Sequence, residues 1–221
     1  MMILLSMDTK LVDASLLPGL APRPFKFTSK QGRTRRAMLL TSALELLREK
    51  IPEEVTLAMV CERAEIPRPS AYHFFPNIEA IFLAIRMLHG ELMIEQVASL
   101  EKRKFKSWQT YIERFITVAV GVTRSEPAFP RLTYEYGALL KGARELGQDI
   151  DTRMARASLD GLHRHFNIKP FHREEEIACI GLAIGDAVLR FSYRKHADLT
   201  TPLVQEAKRA VIGYLSVYIK D

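Results

Sequence analysis

Apolar residues recur along this chain at three- and four-residue spacings, and alternating, strand-like runs are hard to find. Leu40, Ala43, Leu44 and Leu47 form one such stripe, which predicts a helix over 34–50 that Pro52 ends. Leu57, Val60, Cys61 and Ala64 fall at i, i+3, i+4 and i+7 and predict a second helix. Thr56 is placed to cap it, with Val55 and Val60 positioned as a hydrophobic staple. Pro67 pushes Ile66 out of the α region, so this helix is expected to end at 64 or 65. A third helix is predicted over 69–75 between Pro69 and Pro76, about 10 Å long at 1.5 Å per residue. Ala71, Phe74 and Phe75 would face inward from it, with Pro69, Ser70 and His73 outward.

A much longer helix follows, capped by Asn77 and running to about Leu100. Ile81, Ile85, Leu88 and Leu92 make one stripe, and Phe82, Met93 and Val97 a second apolar side. Two apolar sides are expected of a helix that bridges two bodies. After a charged hinge at 102–106, Trp108, Tyr111, Ile112, Phe115 and Ile116 line the inner face of a helix over 108–123. The segment 125–130, with two prolines, breaks the pattern; a short helix over 131–140 is followed by Gly142 and Gly147. Further helices are predicted over 149–166, 174–196 and 202–220. The 174–196 helix carries Ala178, Gly181 and Gly185 near one face, which permits close approach of another helix. The fold class is therefore all-α.

Composition narrows the partners. The chain has 221 residues, 48% hydrophobic, enough for a substantial core. A formal charge of +6 and a pI near 9.4 favour a polyanionic partner. Between 23 and 36 the charges are Arg23, Lys26, Lys30, Arg33, Arg35 and Arg36, with no acid among them. Such a run reads as an arm that neutralises phosphates or reaches a minor groove. Preceding a pair of short helices joined by a tight turn, it points to a helix-turn-helix that enters the major groove. Residues 1–20 make a poor secretory signal and are expected to be a disordered extension or the product of an over-early start codon. No window resembles a membrane span. Cys61 and Cys179 both lie in apolar patterns and read as buried free thiols in a reducing compartment, and a cytoplasmic location is expected. No enzyme, metal or cofactor motif is present: His163 and His165 point to different helix faces, and Glu135 and Asp186 are isolated acids.

Thr56, Ala64, Ile66, Arg68, Ser70, Tyr72, Phe75, Pro76, Asn77, Glu79 and Ile81 together carry a resemblance to the signature of TetR-type transcriptional regulators. Three positions depart from that pattern. Glu65 stands where Gly is usual in the turn, Phe74 where an aromatic or His is usual, and Ile78 replaces a frequent Lys and with it one phosphate contact. The resemblance implies a three-helix DNA-binding domain at 34–78 after a basic arm at 1–33, and a larger helical domain at 79–221 for effector binding and dimerisation. It implies a homodimer through the two C-terminal helices; the alternative is that both are internal core helices of a monomer. Arg68, Pro69, Ser70 and His73 are the candidates for contact with a double-stranded DNA operator, Thr56 and Tyr72 for its backbone, and Arg33, Arg35 and Arg36 for sequence-independent attraction. Candidates for a small-molecule effector pocket are Trp108, Tyr111, Phe115, Tyr134, Tyr136, His163 and Asp186. The expected function is a repressor released by a largely apolar effector. The alternatives are a ligand-independent regulator and a helical ligand-binding protein whose reader has decayed.

Overall fold

The computed structural model describes residues 30–219. Among them every regular element is helical: α1 (Lys30–Glu49), a 3-10 turn (Pro52–Glu54), α2 (Leu57–Arg63), α3 (Arg68–Tyr72), α4 (Ile78–Ala98), a 3-10 turn (Ser99–Lys102), α5 (Trp108–Arg124), α6 (Ala128–Pro130), a π turn (Arg131–Glu135), a 3-10 turn (Gly137–Leu139), α7 (Ala143–Phe166), α8 (Glu174–His196) and α9 (Thr201–Leu215). The expected extension at 1–20, and Arg23 and Lys26 of the arm, lie outside the described residues.

Several boundaries differ from expectation. α1 begins at Lys30, so Lys30 and Arg33 belong to a helix rather than to an arm. α3 spans only Arg68–Tyr72, although the amides of Phe74 and Phe75 still bond to the Ala71 carbonyl at 2.9 Å. Arg68 is the first residue of the helix although the proline after it disfavours that conformation; Pro69 itself sits in the first turn, where its missing N–H is not needed. The single helix expected over 131–140 is instead a π turn and a 3-10 turn. α7 starts before Gly147, where a Cβ would meet nothing, and the break falls at Gly142, whose φ of +85° suits glycine.

Contacts divide the chain into two compact units. One comprises the described residues up to His89 together with Ser125–Ala143; the other comprises Gly90–Arg124 and the described residues from Arg144 onward. Packing thus follows a different line from the boundary expected at 78. In the first unit, Leu39, Leu40, Ala43, Leu44 and Leu47 of α1 are buried, as are Ile81, Phe82, Ile85 and Leu88 of α4. The segment after α5 is fastened to the end of α1. The carboxylate of Glu126, 3% exposed, accepts from Arg48 Nε at 3.0 Å and from the Ala128 amide at 3.2 Å. Arg131 donates to the carbonyls of Leu47 and Lys50 at 2.6 and 3.1 Å, satisfying acceptors that a helix C-terminus leaves without intrahelical partners.

In the second unit, α9 packs along α8 and against α5. The small residues of α8 are used here. A Cβ on Gly185 would lie 3.1 Å from Val211 Cγ2, and one on Gly181 3.6 Å from Leu215 Cδ2, so α9 of the same chain fills that face. Among the described residues no helix is long and apolar enough to cross a membrane.

Candidate DNA-binding surface

The helix pair is held by local chemistry. Thr56, in an extended conformation, accepts a hydrogen bond from the Met59 amide at 3.3 Å and so caps α2. At the other end the Ile66 amide donates to the Cys61 carbonyl at 3.0 Å and the Glu65 amide to the Glu62 carbonyl at 3.1 Å. This is the Schellman arrangement, accompanied by burial of Ile66 and Cys61. Its turning residue must take the left-handed conformation, and Glu65 does so at φ +53°. The departure from Gly noted in the sequence is thus made at the cost of backbone strain rather than by a different turn.

Pro67 then starts α3, its carbonyl accepting from the amides of Ser70 and Ala71 at 2.9 and 3.1 Å. Ala71 and Phe75 are buried, which fixes the roll of the helix. Arg68, Pro69 and His73 are left exposed, Tyr72 is 55% exposed and Ser70 is half-buried. Asn77 caps α4 by accepting from the Ala80 amide at 2.9 Å.

α1 contributes to the same surface. Arg35 is exposed and its Nη1 donates to Ser70 Oγ at 3.3 Å. Arg33 is half-buried. Arg36 departs from the expectation of a phosphate contact: it is 3% exposed. Helical periodicity explains this, because Arg36 lies four residues before Leu40 and seven before Ala43, on the buried stripe of α1. Burial, then the neighbouring Arg33, lowers the pKa of its guanidinium.

Two fastenings escape sequence reasoning. Arg63 of α2 forms a two-pronged ion pair with Glu49 of α1, at 2.8 and 2.9 Å, and this hydrogen bonding holds the Glu49 carboxyl below its ordinary pKa. The other is the Glu126 and Arg131 clamp. Both join residues far apart in the chain, so no periodicity signals them.

The seven residues expected to line an effector pocket are divided between the two units. Tyr134 and Tyr136 belong to the first unit, where the Tyr136 ring meets Phe82 edge-on at 5.5 Å. Trp108, Tyr111 and Phe115 are core residues of the second unit, at most 4% exposed. Tyr111 reaches the Ala157 carbonyl at 3.4 Å, and burial raises the pKa of its hydroxyl. His163 is held between the Ile168 carbonyl, 2.6 Å from Nδ1, and the Glu174 carboxylate, 3.2 Å from Nε2. Their periodicity marks core positions, and the same apolar and aromatic types serve core and pocket alike. Asp186 lines a concavity, a trough of about 270 Å³ on α8 shared with Asp151 and Arg190. Among the described residues no group of three His, Cys, Asp or Glu side chains could hold a metal ion.

Two family models match this chain. One, described as bacterial regulatory proteins of the tetR family, covers residues 39–85; the other, the tetracyclin repressor-like C-terminal domain, covers 107–215. No curated protein has a sequence that matches. Solved structures match over most of their length. A TetR-family transcriptional regulator from Streptomyces coelicolor has a TM-score of 0.67 at 19% identity, over 84% of this chain and 99% of that one. A TetR transcriptional regulator from Rhodococcus sp. RHA1 has a TM-score of 0.59 at 18% identity, over 83% and 96%. Salmonella enterica GusR has a TM-score of 0.57 at 16% identity, over 86% and 98%. At these identities the likeness is one of fold.

Proposed function

The chain belongs to the TetR family of bacterial regulatory proteins, and from that premise we propose that it acts in the cytoplasm as a homodimeric repressor, released from a near-palindromic operator by a small, largely apolar effector. TetR-family regulators are DNA-binding transcription factors and not enzymes. The observation that carries the reading is the outward face of α3. Arg68, Pro69, Tyr72 and His73 are exposed on a short helix whose other side is locked by Ala71 and Phe75. Two copies of α3, set about 34–36 Å apart, enter successive major grooves. Arg68, Ser70 and His73 meet base edges or adjacent phosphates, Pro69 lies against the groove floor, and Thr56 and Tyr72 hold the backbone. Arg33 and Arg35 add attraction that does not depend on sequence.

Effector binding in the second unit favours a state whose two readers no longer fit the operator. α4 transmits the change, since it runs without a break from Ile78 to Ala98 and contributes residues to both units. A mobility-shift titration with the DNA flanking the chain's own gene tests the DNA reading: a shift at low salt supports it, and no shift with any fragment overturns it. A second reading, a regulator without a ligand, is favoured by the burial of Trp108, Tyr111 and Phe115, each at most 4% exposed. Thermal stabilisation by any compound of a broad apolar screen, coupled to loss of the DNA shift, decides for the effector.

A further inference from the structure

We propose that the loop 102–106 is a second DNA-contacting site, which holds duplex phosphates without regard to base sequence and independently of α3. The choice of duplex DNA rests on the DNA reading above; the site itself lies elsewhere. It follows the end of α4 and belongs to the second unit, whereas α3 belongs to the first. Lys102, Arg103, Lys104 and Lys106 are all exposed there, four cations in five residues. Among the described residues none of the four has a carboxylate within ion-pair distance. The adjoining acid, Glu101, is taken by Arg164 at 2.6 Å.

The loop is held at both ends and in the middle. Leu100, 1% exposed, roots the turn before it, and its carbonyl accepts from the Arg103 amide at 2.9 Å. Ser107 and Thr110 cap α5 reciprocally: the Thr110 amide donates to Ser107 Oγ at 3.3 Å, and the Ser107 amide to Thr110 Oγ1 at 3.2 Å. Between these fastenings the Phe105 ring meets Tyr111 and His165 edge-on, with centroids 5.2 and 5.4 Å apart. Phe105 is half-buried, and Lys104 and Lys106 on either side of it are exposed. The cations are thus presented on a fixed frame.

Elsewhere in this unit the pattern is different. Arg153, Arg156, Arg164, Arg173, Arg190 and Arg209 each face a carboxylate. Cations left together repel one another, and a polyanion relieves that repulsion while releasing its own counterions. The run from Arg103 to Lys106 covers at most about 10 Å at 3.3 Å per residue, the axial length over which one strand of a duplex presents about three phosphates. An acidic membrane is the rival polyanion. Stable attachment to a membrane takes an apolar anchor beside the basic cluster. Among the described residues, none of the exposed large hydrophobic side chains lies between 73 and 138. Sequence-independent binding to a duplex needs the cations alone.

Anisotropy titrations of the full chain against a random-sequence duplex, at several salt concentrations, test this without an operator. Lys102→Gln, Arg103→Gln, Lys104→Gln and Lys106→Gln combined should weaken binding at least about tenfold at low salt and flatten the slope of log affinity against log salt by about three. A control that removes the same net charge elsewhere, by Lys141→Gln, Arg144→Gln, Lys195→Gln and Lys208→Gln, should keep the slope within about one of the wild type. Circular dichroism melts check that both variants fold. Equal losses in the two assign the effect to net charge and overturn the site, as does an unchanged slope in the loop variant. The loop variant should also keep the wild type's preference for DNA flanking its own gene over the random duplex; loss of that preference makes the loop part of the reader and overturns its independence. Sedimentation with phosphatidylserine vesicles supplies the other arm. Vesicle binding lost in the loop variant, with duplex binding unchanged, overturns DNA in favour of a membrane. A wild type with no preference for the flanking DNA overturns the reading of α3, whereas the loop stands or falls on the slope against the random duplex.

Discussion

Arg35 of α1 donates to the hydroxyl of Ser70 on α3 at 3.3 Å, across a separation of 35 residues. The bond lies at the surface, so its net contribution to stability is small, about 0.5 kcal/mol. Its consequence is positional: a guanidinium is held beside the outward face of α3 instead of ranging through solvent.

Arg35→Ala is therefore expected to weaken DNA binding without unfolding the chain. Stability should change by less than about 0.5 kcal/mol. The slope of log affinity against log salt should flatten by about one phosphate contact. Binding titrations at several salt concentrations measure it, and an unchanged slope would mean that Arg35 serves only Ser70.

Glu65→Gly is expected to stabilise the reader. The turn demands φ +53°, which a side chain tolerates at a cost of about 1–3 kcal/mol and glycine adopts freely. The greater freedom of glycine in the unfolded chain offsets up to about 1 kcal/mol of this. A net gain of about 0.5–1 kcal/mol should appear as a higher denaturant midpoint with an unchanged m-value. Destabilisation would show that Glu65 makes a compensating contact through its carboxylate.

Much of this reader was legible in the sequence because its signals are local. Thr56, Pro67, Pro69 and Asn77 act on backbone groups within four residues, and the structure has the Thr56 and Asn77 caps at the expected amides. The stripe of Leu40, Ala43, Leu44 and Leu47 likewise defines an inner face without reference to what it packs on. That periodicity extends backward to Arg36, and reading charge before period led to the expectation that it faces DNA. Non-local features were illegible. Nothing in the run 125–130 signals that Glu126 would meet Arg48, 78 residues away. Nothing in the glycines of α8 says whether a helix of the same chain or of another would fill them. Trp108, Tyr111 and Phe115 satisfy the periodicity of a core, and the same residue types line core and pocket wall alike, so periodicity does not separate the two.

Gly161 is a packing requirement of Tyr111. A Cβ there would overlap the Tyr111 hydroxyl oxygen and Cζ, and Tyr111 is itself 2% exposed. Gly161→Ala should destabilise the chain by about 1–3 kcal/mol through overpacking, outweighing the helix propensity of alanine, about 1 kcal/mol. Urea unfolding followed by Trp108 fluorescence reads the second unit directly. A neutral or stabilising result would mean that the Tyr111 ring can move.

Glu126→Ala should cost about 2 kcal/mol. It removes the acceptor of a charge-assisted bond from Arg48 and leaves the Ala128 amide without that bond. Arg48 is 39% exposed and can turn to water, so the loss stays below that of a fully buried pair. Glu126→Gln, which keeps an acceptor and the shape, should lose less than half as much. Equal losses in the two variants would assign the effect to charge alone.

His89 makes the stability of the first unit depend on pH. It stacks on Phe129 with ring centroids 4.5 Å apart, and burial, with Arg86 a lesser cause, pushes its pKa down to about 3. The folded state therefore holds the ring neutral, whereas the unfolded chain takes up a proton near pH 6.5. Between these values the unfolded state binds the extra proton, so stability rises with pH, and acidification from pH 6.5 withdraws it. One and a half pH units, from 6.5 to 5, correspond to about 2 kcal/mol at most, at 1.36 kcal/mol per unit. His89→Phe keeps a ring against Phe129 and removes the titration, so its stability should fall less over this interval than that of the wild type. Parallel declines in the two proteins would show that His89 reaches water and protonates without unfolding.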